Sequence, residues 1–465
     1  MRIGLSTVAG PMACVICFGC SKASVTASDA GIAALDAGIA TRAPPSALWM
    51  QGFDAQLYAR ALDISCAPPE ALPGVEGCIA LVRYRGAMNG LSIPASDSES
   101  YGSVAFVRID PAGGVTWAKK LMSGFDPIDI EVGSFVDDDT RVHLLATNEF
   151  LVSGTYEGRV FFGTPGGNNQ ALGPSTSRNL FMVEFHQDGT FDNWEDTGNG
   201  KELRALGVSE LPNTQIVIAG SCQGDVPLDS GTFHCGDSTD GYLLTINYDG
   251  STVGAVTFGG ARPAVASDVV SEIAGNVYVS GSFEEQMQFG TEPVDIAAGE
   301  DDGFLMKVNS DGTRAWIVTA GGLGHDRGGR LVRVSGGVLW TALVSLGARV
   351  GTAIFPEGGQ VVARVDDSGA VVWTHLVTDA QETAPLGVAA SDDDSFALYG
   401  ESFLGRFAAN GTLLWDRTDA DFAGASFTKD SLVVAATVVG TKAFGTSLAT
   451  SGNDTIRAAL VAFPR

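Results

Sequence analysis

Five histidines, seven cysteines and a few aspartate runs are the residues with which this 465-residue chain would have to do chemistry. The histidines, His143, His186, His234, His325 and His375, are scattered along it. There is no HExxH and no histidine pair at the helical spacing that seats a catalytic zinc. A GxSxG elbow, a phosphate-binding loop and a dinucleotide fingerprint are also missing from the sequence. The glycine-rich stretch around His325, residues 322–328, falls where a turn between repeats is expected. Asp137–Asp139 and Asp392–Asp394 lack the DxDxDG spacing of a calcium loop and read as turn formers. No residue is therefore assigned to catalysis, to a cofactor or to a metal. A structural divalent cation is left open, with no ligands named.

Four cysteines lie beyond the N-terminal segment, and they fall into two local pairs. Cys66 and Cys78 are 12 positions apart, and Cys222 and Cys235 are 13 apart. Each pair brackets a loop rich in glycine, proline or aspartate, between strand-like runs. Zinc would call for CxxC spacing or neighbouring histidines, and only His234 stands beside a cysteine. Two disulfides are the expectation, which implies an oxidising compartment.

The N-terminus agrees with that compartment. Arg2 is followed by an uncharged, largely apolar or small stretch, Ile3 to Gly19, so residues 1–20 read as a signal peptide. Cys17-Phe18-Gly19-Cys20-Ser21 resembles a bacterial lipobox, with Cys20 as the lipidated residue, although Cys17 stands where leucine is usual. By the same resemblance, Ser21 directs such a lipoprotein to the outer membrane. The alternative is plain cleavage after Val25-Thr26-Ala27, giving a periplasmic or extracellular protein. Residues 21–46 are rich in Ala, Ser and Asp and suit a flexible tether, leaving 47–465 as a single domain.

The net charge of −26 argues against nucleic acid as a partner, because such a surface repels phosphate backbones. Membrane contact is expected only through a lipid anchor.

An internal repeat reveals the architecture that must position any site. One unit runs strand, turn, strand: 105–121 (AFVRIDPAGGVTWAKKL), 180–197 (LFMVEFHQDGTFDNWEDT), 242–258, 304–320 (FLMKVNSDGTRAWIVTA), 361–377 and 403–418. Each has an alternating apolar run, a turn containing Gly, and a second run, which is a β-hairpin signal. A second hairpin unit lies between copies, at 265–282, 328–344 and 422–438. Two hairpins make a four-stranded propeller blade. The turn glycines Gly113, Gly189, Gly250, Gly312, Gly369 and Gly411 mark the period; its longer intervals carry insertions after the second strand, often with an FG, as at Phe162-Gly163, Phe289-Gly290 and Phe444-Gly445. Trp117, Trp194, Trp316, Trp373 and Trp415 follow the turn glycine by three to five residues, and are expected to pack between blades.

The stretch 241–322, with GNVYVSGSF, a following FG and then DGTRAW, resembles the bacterial seven-bladed propeller repeats abbreviated SBBP. DSGAVVW and NGTLLW also resemble the PQQ-type propeller repeats. These resemblances imply a fold and no particular reaction.

The C-terminal blade has a hairpin at 422–438 and a strand at 456–463 but no Trp-bearing strand, and 47–53 (ALWMQGF) resembles the missing one. The expectation is an all-β, seven-bladed propeller of four-stranded antiparallel blades, closed by its own N-terminal strand, which leaves no open edge. It is expected to be a monomer and a non-enzymatic envelope binding or scaffold protein, whose partner is a cell-surface protein or glycan. The alternative is a hydrolase, lyase or quinone-dependent oxidoreductase with its site in the central funnel. Function is expected on the insertion-bearing face, where Glu284, Glu285, Glu292, Asp295, Glu300, Asp301 and Asp302 fall in one blade's insertion.

Overall fold

The computed structural model describes residues 45–67, 76–95, 103–123, 135–136, 139–145, 147, 149–162, 170–196, 202–228, 230–290, 292–378, 384–444, 447–450 and 456–465. Cys20, the signal segment, nearly all of the tether, Asp137, Asp138, Gly163 and Gly445 lie outside them. The described elements are all β, and the strands assemble as four-stranded antiparallel blades of a propeller. Each blade pairs its strands in chain order, as in Tyr58–Cys66, Cys78–Arg85, Ser103–Ile109 and Val115–Ser123. The next is Arg141–Leu144, Phe150–Phe162, Gln170–Phe185 and Phe191–Asp196.

The repeat predicts seven separate blades, whereas the hydrogen bonds delimit five sheets of four or more strands among the described residues. The reason lies in the insertions. Phe150–Phe162 and Val277–Phe289 run well past the blade edge, and their ends pair with the outermost strand of the preceding blade. Met122–Ser123 join Phe161–Phe162, and Phe258–Gly259 join Gln288–Phe289. Each of these two-residue ladders fuses two four-stranded groups into one sheet.

The insertions are themselves hairpins. Asp225–Leu228 pairs with Gly231–His234, Ala348–Val350 with Ala353–Phe355, and Thr441–Phe444 with Ser447–Thr450. The acidic segment expected as a loop is part of a continuous strand, Glu292–Val308, paired with Val277–Phe289.

Blades bury both faces against their neighbours, which is why middle strands such as Ser431–Val439 read as almost unbroken small or apolar runs. The core consists of layers between successive blades. Ile79 and Phe106 of one blade pack with Val152 and Phe181 of the next. The layer joining the ends of the chain holds Ala61 and Ala105 together with Val433 and Leu460.

The last sheet contains the first strand. Trp49–Ala55 pairs antiparallel with Ile456–Pro464, in register from Trp49 opposite Ala462 to Phe53 opposite Ala458. The Trp49 ring then reaches the following blade, Tyr58–Ser123, and covers the turn at Gly113. A Cβ on Gly113, whose φ is +89°, would stand 2.5 Å from that ring, so only glycine fits both turn and ring.

Candidate functional site

The first strands of the blades touch one another around the centre: Tyr58–Cys66 lies against Asp421–Phe427 and Arg141–Leu144, and Ala264–Ser271 lies between Glu202–Leu211 and Arg327–Val334. Most carry a register shift, between Ala61 and Asp63, Ala205 and Gly207, Ala266 and Asp268, and Phe422 and Gly424. In two of these strands the residue after the bulge, Asp63 or Asp268, reaches the next blade. Asp63 Oδ2 accepts the backbone N–H of Val142 in the next blade at 3.0 Å. Asp268 Oδ2 repeats the contact, accepting from Leu331 N at 2.8 Å. Gly207 occupies the equivalent place one blade before Asp268, and a Cβ there would lie 2.7 Å from the Asp268 Cα. Arg330 donates Nη1 to the carbonyl of Leu206 at 2.9 Å, crossing to a third strand.

Two cavities meet at Arg141, Arg330 and Tyr399. One of about 460 Å³ extends along the C-terminal halves of the first strands, with His143, Glu210 and Asp392 on its wall. The other, about 260 Å³, lies at their N-terminal ends, with Asp139 and Glu401. Burial holds the Asp63 and Asp268 carboxyls above their ordinary range, with the nearby arginines opposing it. Burial, then Arg141 and Arg330, pushes the His143 imidazole down to about 4. Burial, aided by the Asp63 charge, pushes the Tyr399 phenol up to about 12. His143 Nε2 finds no hydrogen-bond partner among the described residues.

The acids picked out by sequence differ in exposure: Glu285 and Glu300 are exposed, whereas Asp301 and Asp302 are buried. Glu285 is exposed and pairs with Arg262 Nε at 3.0 Å, and Glu284 beside it is half-buried. Glu292 and Asp295 sit on the extended strand, opposite Phe289 and Met287. Glu300 meets His325 Nε2 at 2.5 Å, and Asp301 meets its Nδ1 at 2.5 Å. Asp301 and Asp302 are buried, and Asp302 Oδ2 accepts from Ala298 N at 3.1 Å. Asp326, in the glycine-rich stretch, is fully buried and accepts from Gly322 N at 2.8 Å and Ser345 Oγ at 2.9 Å, which is turn chemistry. The other run ending at Asp394 also caps turns: Asp394 Oδ1 accepts from Ser335 N at 2.7 Å.

Both expected disulfides are present. Cys66 is bonded to Cys78 and Cys222 to Cys235. The first ties two neighbouring strands of a blade, and the second ties a strand to its insertion hairpin.

A second polar cluster lies at the DG turn of the blade Arg141–Asp196. His186 Nδ1 is 3.1 Å from Glu149 Oε1, and Nε2 is 3.5 Å from Asp192 Oδ1. Glu184, buried beneath them, is pushed up to about 7 by burial and by its hydrogen-bonded neighbour Glu149.

Neither the channel groups nor this cluster emerges from single-residue scanning, because each gathers side chains from several strands. The signal available was the aligned repeat, in which AFVRID, FLMKVN and VVARVD stand opposite FMVEFH.

No known protein family matches the sequence, and no curated protein does. Solved structures do resemble it in shape. A Bacteroides caccae protein of unknown function shares 10% identity over 69% of this chain and 91% of its own, with a TM-score of 0.36. Sqt1 from Chaetomium thermophilum shares 9% over 90% and 99%, with a TM-score of 0.40. The gluconolactonase XC5397 from Xanthomonas campestris shares 12% over 70% and 95%, with a TM-score of 0.31. At these values none of the three bears on activity.

Proposed function

We propose that this chain is an exported, SBBP-type seven-bladed propeller, closed by its N-terminal strand, that works by binding a cell-surface protein or glycan. The count treats each fused sheet as two blades. Export is supported by the two disulfides and by the signal-like segment before the fold. Among the described residues no helix is long and apolar enough to cross a membrane. Anchoring falls to Cys20 if the lipobox is used.

The observation that carries the binding reading is how the channel spends its charges. Asp63 and Asp268 each bond the backbone of the neighbouring blade, and Arg330 bonds the backbone two blades away. Groups used that way hold strands together and are poor candidates for proton transfer, which needs free access to a substrate. Recognition then falls to the insertion hairpins, displayed on a rigid ring.

The test replaces Glu284, Glu285 and Glu300 by Gln together and measures binding of the tag-free protein to isolated cell envelopes. Asp249→Asn with Asp311→Asn alters exposed turns on the opposite face as a control. The reading expects binding to fall at least tenfold in the first variant and to persist in the second. Binding kept by the first and lost by the second overturns the face assignment. Loss in His143→Ala alone would favour a second reading, a small ligand in the channel, on the strength of the unpartnered Nε2 there.

A further inference from the structure

The repeat provides an internal control for the blade Arg141–Asp196. Two residues before the start of each DG-type turn, four other blades place a base: Arg108, Lys307, Arg364 and Arg406. In each case the cation serves the first hairpin of its own blade. Arg108 Nη2 donates to Glu76 O at 2.6 Å, and Arg364 Nη2 donates to Ser335 O at 2.6 Å. Arg406 Nη2 donates to Ser395 Oγ at 2.6 Å, and Lys307 Nζ to Glu272 Oε2 at 3.2 Å. In the blade Glu202–Gly259 the position is Thr245, and in the blade Arg141–Asp196 it is an acid, Glu184.

Three further departures surround it. The turn begins with His186, where other blades have Asp110, Asn247, Asn309, Asp366 or Ala408. The bulge after the turn leaves Asp192 as its extra residue, since Phe185 pairs with Phe191 and Glu184 with Asn193. Other blades put Thr116, Val253, Ala315, Val372 or Leu414 there. The residue leading into the second strand is Glu149, where Asn276 and Ser395 stand elsewhere. Trp194 also falls out of step, opposite Val183, while Trp117, Trp316, Trp373 and Trp415 all face the basic residue.

The outcome is a set of acceptors with no fixed cation among the described residues. Donor atoms of Glu149, His186 and Asp192 lie within 4.8 Å of one another. Glu184 is 9% exposed and hydrogen-bonds Glu149, yet its Oε1 has no partner among the described residues. An ionised carboxylate only accepts, so two facing carboxyl groups must share a proton or hold a positive charge between them. His186 and Asp192 are exposed enough for an ion to enter.

We propose that Glu149, His186 and Asp192, with Glu184 hydrogen-bonded to Glu149 beneath them, form a site for a divalent transition-metal ion, which takes the place that an arginine or lysine fills in four other blades. One imidazole with carboxylates matches Zn²⁺ and related ions, whereas Ca²⁺ prefers an all-oxygen set. The ion would cross-link the two hairpins of the blade, as the guanidinium of Arg406 does in its own.

The test uses the full mature chain, tag removed and chelator-treated, titrated calorimetrically with Zn²⁺, Mn²⁺ and Ca²⁺. The proposal expects one Zn²⁺ per chain, weakened tenfold or more by His186→Ala and by Asp192→Asn. His234→Ala and His325→Ala, at the other surface histidine–carboxylate pairs, should leave it unchanged. Glu184→Arg restores the repeat's own cation and should abolish binding, with a melting temperature no lower than that of metal-free protein. Should that variant misfold, Glu184→Gln replaces it and should weaken Zn²⁺ tenfold. Zn²⁺ affinity indifferent to His186, or Ca²⁺ bound as tightly as Zn²⁺, overturns the proposal.

Discussion

Trp49 donates its indole Nε1–H to the carbonyl oxygen of Pro111 at 3.1 Å, across the junction where the first strand of the chain meets the blade that follows it. The same bond recurs between other successive blades: Trp117 to Gln187 O at 3.1 Å, and Trp316 to Asp367 O at 3.1 Å. Each indole lies over the turn glycine of its neighbour, Gly189 and Gly369 in these cases. The N-terminal strand thus makes the contact that an outermost strand makes elsewhere. Trp49→Ala should cost about 2 kcal/mol, below the range for fully buried tryptophan because the ring is half-exposed. Chemical denaturation of the two proteins measures it.

The turn glycines give a differential test of that docking. Gly113→Ala forces both a strained φ and a Cβ 2.5 Å from the Trp49 ring. Gly336→Ala has a φ of +68° but open space around the new Cβ. Both should destabilise, by about 1 kcal/mol for φ alone. Gly113→Ala should exceed Gly336→Ala, and in a Trp49→Ala background the excess should shrink. Four melting curves decide it.

His143 sets an acid limit. Its imidazole titrates near 6.5 when unfolded and at about 4 in the fold, where burial beside Arg141 and Arg330 disfavours the charged form. The unfolded chain therefore binds more protons between those values. Stability is full above pH 6.5 and falls as pH drops toward 4, by on the order of 3 kcal/mol. Replacing His143 by Gln should flatten this part of the profile. Asp63 acts in the opposite sense, because its folded value is raised by burial. Its contribution is greatest below the unfolded value and declines as pH climbs through the folded one. Asp63→Asn should therefore gain on the wild type as pH increases.

The disulfides are testable by non-reducing peptide mapping, which should recover 66–78 and 222–235 linkages. Replacing Cys222 and Cys235 by Ser should lower stability by about 2–3 kcal/mol, the range for a short closed loop. Free thiols at all four positions would count against the proposed export.

The propeller was legible because its strands and turns obey local rules. The glycine turns at Gly113 and Gly369, the alternation around them and the Trp four places on all depend on nearest neighbours in sequence. The fusion of sheets was not legible, since the Met122–Phe162 pairing depends on how far an insertion strand runs past the blade edge. Acids such as Asp301 and Asp302 read as loop charges because sequence records a run of acids, and not that the strand carrying them is buried against 281–284 and the turn at His325. The channel residues Asp63 and Asp268 were missed for a related reason. Each looks like an isolated polar residue in an apolar strand until the bulge directs it onto the next blade.

Ring closure is tested most directly by comparing two truncations in the same melting experiment. A chain beginning at residue 47 retains Trp49–Ala55 and its pairing with Ile456–Pro464. It should melt in one cooperative transition at the temperature of the longer protein. A chain beginning at residue 54 loses Trp49 and the buried Phe53, exposing the edge of Ile456–Pro464. It should aggregate or lose its cooperative melt. Equal stability of the two chains would contradict closure by the N-terminal strand.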